Sequence, residues 1–185
     1  MNNKAEVDLS KFDNSWYHVG GRLKLITWYV ANLIFIKNRF VTSSSFKSLI
    51  LRAWGGAIGK NVTIKPGVNI KFPWMLAIGS NCWIGEGVWI DNIAPVKIED
   101  NVCISQGAML LCGNHNYKKQ SFDLIVGDIV LEKGAWVGAK AVVCPGVTMH
   151  THSVLTVGSV ATKDLEAFAI YSGVPAKKVR ERRID

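Results

Sequence analysis

The sequence predicts an all-β solenoid, a chain of short parallel strands wound into stacked coils. An aliphatic residue returns at every sixth position, a period that neither a helix nor a simple alternating strand has. The fifth position of each hexapeptide is held by Val, Cys, Ala or Ser. Glycine recurs at the second or fourth position, and each glycine would cost a helix about 1 kcal/mol. The periodic aliphatic residues are Ile58, Ile64, Ile70, Ile78, Ile84, Ile90, Ile98, Ile104, Leu110, Leu131, Val137, Val143, Met149 and Leu155.

Three hexapeptides close one coil, with the large aliphatic residue inside and the small residue beside the corner. The spacings from Ile70 to Ile78 and from Ile90 to Ile98 are longer by two residues, which predicts a bulged turn at each. The repeats predict about five coils, or a height of roughly 25 Å at one strand spacing per coil. We assign residues 58–165 to this β-helix domain.

Residues 1–57 lack the repeat and are predicted to form an N-terminal helical segment. Their apolar stretch, residues 25–36, is shorter than the roughly 20 residues that cross a bilayer. Lys and Arg flank it on both sides, which fits a helix packed on protein or a helix lying in a membrane interface. Because an exposed strand edge invites pairing with other chains, we expect the segment to cap the first coil.

The chain is basic, with a formal net charge of +8 and a pI near 9.4. Such a charge fits nucleic acid, an anionic membrane or a phosphorylated small molecule as partner. The sequence shows no zinc spacing, RNP-type stretch or Arg-rich helix, so we expect no nucleic-acid partner. Part of the charge lies in residues 166–185, predicted to be a short basic C-terminal tail.

The four cysteines form no CxxC pair and match no histidine spacing, so neither a metal site nor a disulfide framework is expected. This usage favours the reducing cytoplasm, with the inner face of the membrane as an alternative location.

The repeat is interrupted once, by a loop at residues 112–130. Leu110 and Leu131 are 21 residues apart, three more than one coil requires. The loop carries one histidine, His115, between two asparagines. A polar loop that leaves a regular solenoid wall is a candidate for function.

Several segments resemble the hexapeptide-repeat acyltransferases: "IGSNCWIGEGVWI", "VGAKAVVCPGVTM", "GSVATKD" and "YSGVPAKKVR". The stretch "IGEGVWIDNIAPVKIEDNVCISQGAMLLCGNH", with "FDLI" after it, is most similar to acetyltransferases of colanic-acid and other exopolysaccharide clusters. The galactoside and maltose O-acetyltransferases are close relatives of these. The resemblance implies a left-handed parallel β-helix and a homotrimer. It also implies that acetyl-CoA and a carbohydrate acceptor meet in the groove between subunits.

The resemblance matches His115 to the catalytic histidine of the family, 17 residues after Ile98. A sugar hydroxyl attacks a thioester slowly unless a base removes its proton as the new bond forms. Imidazole changes its charge near neutral pH and suits that task. We therefore predict that His115 is the general base.

The resemblance also implies the cofactor-binding residues. The family's contacts with CoA match Ala139, Val157, Thr162, Lys163 and Arg180, although Ala139 and Val157 differ from the usual Ser and Ala. Small side chains leave room for the pantetheine arm, and the basic residues, with Lys177, are expected to meet the CoA phosphates. No metal is expected.

The acceptor is less well defined by the sequence. Asp91 and Asn92 match the place where relatives carry an acid pair that touches sugar, but the second acid is replaced by Ile93. The alternative is that this stretch is only a turn set by its Asn and Pro. Asn114 and Tyr117, beside His115, are further candidates for contact with the acceptor.

The sequence thus predicts an acetyl-CoA-dependent O-acetyltransferase acting on a sugar or polysaccharide precursor. Two alternatives stay open: an N-acetyltransferase acting on an amino sugar or other amine, and a non-catalytic scaffold of exopolysaccharide assembly. A carbonic anhydrase of the same fold is disfavoured, because its metal site needs a second histidine five residues after the first, where Gln120 stands.

Overall fold

The structure, a computed structural model, describes residues 5–185; residues 1–4 of the predicted N-terminal segment lie outside this range. It confirms the predicted class, a parallel β-solenoid with a short helical part before it. The solenoid is a three-sided prism whose walls are three parallel sheets.

Five short helical elements occur in the described chain. They are a 3-10 turn at Leu9–Lys11, helix α1 at Arg22–Ala31, a π-helical turn at Asn32–Ile36, helix α2 at Ser44–Ala53 and a 3-10 turn at Pro73–Met75.

The strands are mostly two or three residues long, as a six-residue side requires. They are β1 (Ala57–Ile58), β2 (Thr63–Ile64), β3 (Asn69–Ile70), β4 (Leu76–Ile78), β5 (Trp83–Ile84), β6 (Trp89–Asp91), β7 (Val96–Ile98), β8 (Cys103–Ile104), β9 (Met109–Leu111), β10 (Gly113–His115), β11 (Leu124–Val126), β12 (Ile129–Leu131), β13 (Trp136–Val137), β14 (Val142–Val143), β15 (Thr148–Met149), β16 (Val154–Leu155), β17 (Val160–Ala161), β18 (Ala169–Gly173) and β19 (Ala176–Glu181).

Each wall takes one strand from every coil. The first face has the order β1-β4-β7-β12-β15, the second face β2-β5-β8-β13-β16, and the third face β3-β6-β9-β14-β17. Five coils are therefore complete. A sixth begins with a bridge between Met149 and Leu165 and continues with β18, which pairs with β16, so the solenoid has about six turns.

The periodic residues fill the interior, as the repeat predicts. Ile64, Ile84 and Ile104 stack on one another in successive coils, and none is more than 1% exposed. The chain turns sharply at the corners, and Asn81 (φ +59°) and Gly87 (φ +66°) adopt the left-handed conformation there. Asn and Gly tolerate that region best, which explains their recurrence at these slots.

Helix α2 closes the open edge of the first coil, which has no earlier coil to bond to. The Arg52 guanidinium donates to the carbonyl oxygens of Ile58, at 2.9 and 3.0 Å, and of Gly59, at 2.8 Å. The buried Lys47 ammonium donates to the Lys65 carbonyl at 2.9 Å. These contacts satisfy backbone acceptors that would otherwise need water or another chain.

The other two strands of the first coil are closed in the same way. The Ser44 hydroxyl accepts from the Ile64 amide at 3.0 Å. The indole of buried Trp28, on α1, donates to the carbonyl oxygens of Ile70 and Lys71 at 3.2 and 2.8 Å. The expected capping role of the N-terminal segment is confirmed for its described residues.

The C-terminal segment, predicted as a basic tail, contains ordered structure. Strands β18 and β19 pair antiparallel and extend the second face beyond β16. This hairpin covers the far edge of that face as α2 covers the near edge. The hairpin could not be predicted from the sequence, because its residues no longer follow the period of six.

We predict that Arg52→Met destabilises the fold by about 1–2 kcal/mol, because it leaves carbonyl oxygens of the first coil without their donor. Chemical denaturation followed by circular dichroism measures this loss. Lys60→Met is the matched control, since Lys60 is exposed on the same coil. Equal stability of the two variants would contradict the capping role of Arg52.

Candidate active site

The histidine loop leaves the solenoid where β9 ends on the third face. It then forms its own antiparallel hairpin, β10 with β11, in which His115 lies opposite Leu124. The Cys112 amide donates to the Asp91 carbonyl of the coil below, and the Gly127 amide donates to the Cys112 carbonyl. The base of the loop is therefore fixed to the coil stack.

The ring of His115 is held by Phe122. The two rings stack with centroids 4.4 Å apart and planes 9° apart. His115 Nδ1 lies 2.9 Å from the Phe122 carbonyl oxygen, which can only accept a hydrogen bond. In the neutral imidazole Nδ1 must then carry the proton, and Nε2 keeps its lone pair. This is the tautomer that a base acting through Nε2 needs.

The N-terminal segment packs against the histidine loop, a contact that the sequence did not predict. The Phe12 ring lies 5.7 Å from the His115 ring between centroids. The Asp8 amide donates to the Gln120 carbonyl, and the Lys11 ammonium donates to the Gln120 side chain, both at 2.9 Å. Phe12 belongs to no repeat or motif, and the motif "FDLI" that contains Phe122 does not by itself reveal its contact with His115.

Tyr17 joins this segment to the solenoid beside the loop. Its hydroxyl donates to the Ile93 carbonyl at 2.6 Å. Burial, together with the nearby charge of Asp91, raises the pKa of Tyr17 to about 12. The hydroxyl therefore stays protonated at neutral pH and keeps its role as a donor.

The structure places both predicted neighbours of His115 in the loop. Asn114 is exposed on β10, and its side-chain oxygen accepts from the His115 amide at 2.8 Å. The Tyr117 side chain is 73% exposed, and its amide donates to the His115 carbonyl at 3.0 Å. Both side chains are available to a ligand at the histidine.

Asp91 and Asn92 have different surroundings. Asp91 is 18% exposed and forms an ion pair with Lys71 at 2.9 Å between Nζ and Oδ1. Lys71 therefore compensates the buried charge of Asp91 Oδ1. Asn92 is fully buried, and its amide group bonds to both backbone groups of Phe72. Asn92 therefore holds the turn, and in this chain its side chain is enclosed.

Asp91 lies at one side of a cavity of about 510 Å³ between α1 and the third face. Most of the lining is apolar or aromatic, with a few polar groups that include the unpaired Oδ1 of Asn32. Concave apolar sites with a few unsatisfied polar groups are the usual form of small-molecule sites. The aromatic lining residues are Trp28, Tyr29, Phe72 and Trp89.

The cysteines are not suited to be nucleophiles. Burial raises the pKa of the Cys112 thiol, three residues before His115, to about 12. Burial also raises the pKa values of Cys82, Cys103 and Cys144. The thiolate is the reactive form, so these groups are inert at neutral pH. No group of three His, Cys, Asp or Glu side chains within residues 5–185 is arranged to hold a metal ion.

The predicted cofactor residues fall into two groups. Ala139 and Val157 lie one coil apart at the corner between the second and third faces, where the Gly158 amide donates to the Ala139 carbonyl. Lys177 lies at the same corner, because β19 pairs it with Ser172, whose hydroxyl accepts from that of Thr156 at 2.9 Å. Arg180 follows on the same strand, opposite Ile170.

Thr162 and Lys163 are not brought to that corner. They follow β17 at the opposite side of the third face, as the histidine loop follows β9. Val157, Thr162 and Lys163 are exposed and Ala139 is partly exposed. One chain thus presents small residues at one corner and the histidine at another, separated by the width of the third face.

A parallel β-solenoid is the fold of the hexapeptide-repeat acetyltransferases, and comparison with known proteins supports this class. WcaF of Escherichia coli K12, described as a colanic acid biosynthesis acetyltransferase, is 31% identical over 176 residues, which cover 95% of this chain and 97% of WcaF. The chain belongs to the hexapeptide-repeat acetyltransferase family, in the group that contains WcaF. No family model matches the chain.

Other relatives agree with this class. Galactoside O-acetyltransferase of E. coli K12 is 29% identical over 140 residues, which cover 71% of this chain and 66% of that enzyme. A hexapeptide-repeat acetyltransferase of Vibrio cholerae has a similar fold, with a TM-score of 0.81, 22% identity and coverage of 91% and 97% of the two chains. Galactoside acetyltransferase in complex with coenzyme A gives a TM-score of 0.76 at 24% identity, covering 87% and 82%.

Proposed function

We propose that the protein transfers an acetyl group from acetyl-CoA to a hydroxyl of a sugar or polysaccharide precursor, with His115 as the general base. The observation that carries the proposal is the Nδ1 contact between His115 and the Phe122 carbonyl. It fixes the imidazole in the tautomer that leaves Nε2 free to accept a proton. The acetyl donor is supported by membership of an acetyltransferase family.

The transfer proceeds by direct attack of the acceptor. As the acceptor oxygen bonds to the thioester carbonyl carbon, its proton passes to His115 Nε2, and a tetrahedral oxyanion forms. When the oxyanion collapses, the C–S bond breaks and the proton passes from Nε2 to the leaving sulfur. The protonated cysteines of this chain argue against a covalent acetyl-cysteine intermediate.

We propose that the site is completed between two subunits of a homotrimer. One chain holds the histidine and the small residues at different corners, so a neighbour is needed to bring them together. Three tryptophans leave apolar surface on the coil walls: Trp83, Trp89 and Trp136 are 58%, 39% and 44% exposed. An interface between subunits would cover such side chains.

We propose that the corner with Ala139 and Val157 holds the pantetheine arm and that Lys177 and Arg180 meet the CoA phosphates. The residues fit this role, because Ala139 and Val157 are small or aliphatic and Lys177 and Arg180 are exposed. Lys163, at the other corner, would reach a CoA bound by the neighbouring subunit. Thr162 would add a hydroxyl there.

Asp91, Asn114 and Tyr117 are the proposed acceptor contacts. Asp91 lines the cavity, and the aromatic side chains beside it offer apolar surface to an acceptor. Release of CoA from acetyl-CoA, measured with a panel of sugars and amines, tests the reaction. If only amines accept the acetyl group, the protein is an N-acetyltransferase and the proposed O-acetylation is wrong. Failure to bind or cleave acetyl-CoA with any acceptor would favour a non-catalytic scaffold.

We predict that His115→Ala lowers kcat by roughly 10²–10⁴, the usual contribution of a positioned acid–base group. The KM for acetyl-CoA should stay within about threefold, since the loop lies outside the coil stack. His18→Ala is the control, because His18 is exposed outside the loop. Steady-state kinetics measures both. A kcat for His115→Ala within about threefold of the wild type would show that another group is the base.

We predict that two inactive variants restore activity when they assemble together. His115→Ala removes the base, and Val157→Arg blocks the groove at the other corner. In each mixed trimer one site in three combines an intact histidine with an intact groove from the neighbour. Co-expression with different affinity tags and assay of doubly purified protein measures this. Activity no higher than that of either variant alone would place the whole site within one chain.

We predict that Lys177→Ala raises the KM for acetyl-CoA by about three- to tenfold and leaves kcat nearly unchanged, because phosphate contacts act equally in ground and transition states. Lys178→Ala is a matched control one residue away. Lys178 is already paired with Glu166 and Glu181, each at 2.7 Å, and these carboxylates raise its pKa. An equal effect of the two substitutions on KM would contradict a specific phosphate contact by Lys177.

A further inference from the structure

Helix α1 is apolar on two opposite sides. One side packs on the solenoid through Trp28 and Ala31, which are 2% and 4% exposed. A surface helix normally has a polar face opposite its packed face. Here the opposite face is also apolar, and it continues into the π-helical turn and the connection to α2. We name this surface the outer face: Leu23, Ile26, Val30, Leu33, Ile34 and Phe40.

The outer face is continuous and strongly exposed. Its helical members follow one another at intervals of three and four residues, so they align along one side of α1. Leu23 and Ile26 are 77% and 63% exposed, and Leu33 is 54% exposed. Phe40 is 94% exposed at the end of this surface. A contiguous apolar patch of this kind marks an interaction surface.

The segment of chain that carries the outer face has charge of one sign, and Asp91, which lines the cavity next to this face, is paired with Lys71. From residue 14 to residue 85 the sequence has nine Lys and Arg and no Asp or Glu. Arg22 and Lys24 lie at the start of the outer face and Lys37 and Arg39 near its end, all exposed. An occupant that complements this surface must offer negative charge around an apolar layer.

We propose that the outer face docks on a membrane surface rich in anionic lipid. The phosphates of lipid headgroups would meet the cations at both ends, and the apolar side chains would enter the region below. A second copy of the same face would bring like charges together, which disfavours it as occupant. Helix α1 has ten residues, about 15 Å, and no helix in residues 5–185 is long and apolar enough to cross a bilayer. The helix would therefore lie in the plane of the membrane.

The docking is tested with vesicles and the full chain. The variant Val30→Asn/Ile34→Asn changes two members of the outer face that do not line the cavity beside Asp91. Asn and Val have similar helix propensities, so the helix should be kept. The matched control is Val7→Asn/Ile184→Asn, because both of these residues lie outside the outer face and are 56% exposed.

Flotation with vesicles of phosphatidylcholine, with and without phosphatidylglycerol, measures binding. The wild type and the control should bind the vesicles that contain phosphatidylglycerol, and Val30→Asn/Ile34→Asn should bind at least about tenfold more weakly. Lys37→Gln/Arg39→Gln should lose most of the preference for phosphatidylglycerol. Absence of wild-type binding, or equal binding by all variants, would overturn the proposal.

A second copy of the chain is the main rival occupant. Light scattering of Val30→Asn/Ile34→Asn distinguishes it, because that variant should keep the subunit number of the wild type if the face meets lipid. A smaller assembly in the variant would place the outer face between subunits and overturn the membrane assignment. Circular dichroism of the same sample verifies that the variant is folded. The outcome does not depend on whether the protein transfers acetyl groups.

Discussion

The structure depends on hydrogen bonding between successive coils. Every strand in the stack uses its neighbours above and below for its backbone donors and acceptors, so coils must follow one another at the strand spacing. The contact is close enough to select residues: a Cβ on Gly85 would lie 2.7 Å from the Gln106 amide nitrogen. The two ends of the stack need other partners, because the backbone donors and acceptors on the outer side of an end coil have no further coil to bond to.

The chain meets this requirement with side chains at one end and a hairpin at the other. Arg52 and Trp28 bring cationic and indole donors to carbonyl oxygens of the first coil. Strand β18 bonds to β16 and is itself covered by β19. The N-terminal segment that contributes the first cap also packs Phe12 against His115. A substitution in that segment could therefore alter both the cap on the first coil and the contacts of His115.

The fold could be predicted from the sequence because each coil buries aliphatic residues at the same positions of its hexapeptides. Ile64 and its equivalents occupy identical environments, so one rule accounts for all of them. The site could be predicted only where it interrupts that rule, as at His115. The bonds of Asn92 to the Phe72 backbone could not be predicted, because a turn residue that bonds backbone and one that binds ligand look alike in sequence. Phe122 lies in the quoted motif "FDLI", but its contact with His115 could not be predicted, because a carbonyl oxygen and a ring stack leave no sequence pattern.

The basic residues that give the chain its net charge have several different roles. Lys47 and Arg52 are used inside the protein as donors to the first coil, and burial lowers the pKa of Lys47. Lys178 is neutralised by two carboxylates of its own chain. Lys37 and Arg39, which follow α1, and Lys177, on the last hairpin, form no ion pair within the described residues. A cofactor phosphate and a lipid headgroup are both anions, but the surface around each cation differs. Lys177 lies beside a groove of small residues that suits a narrow ligand, whereas Arg39 lies beside an apolar helix face that suits an extended surface.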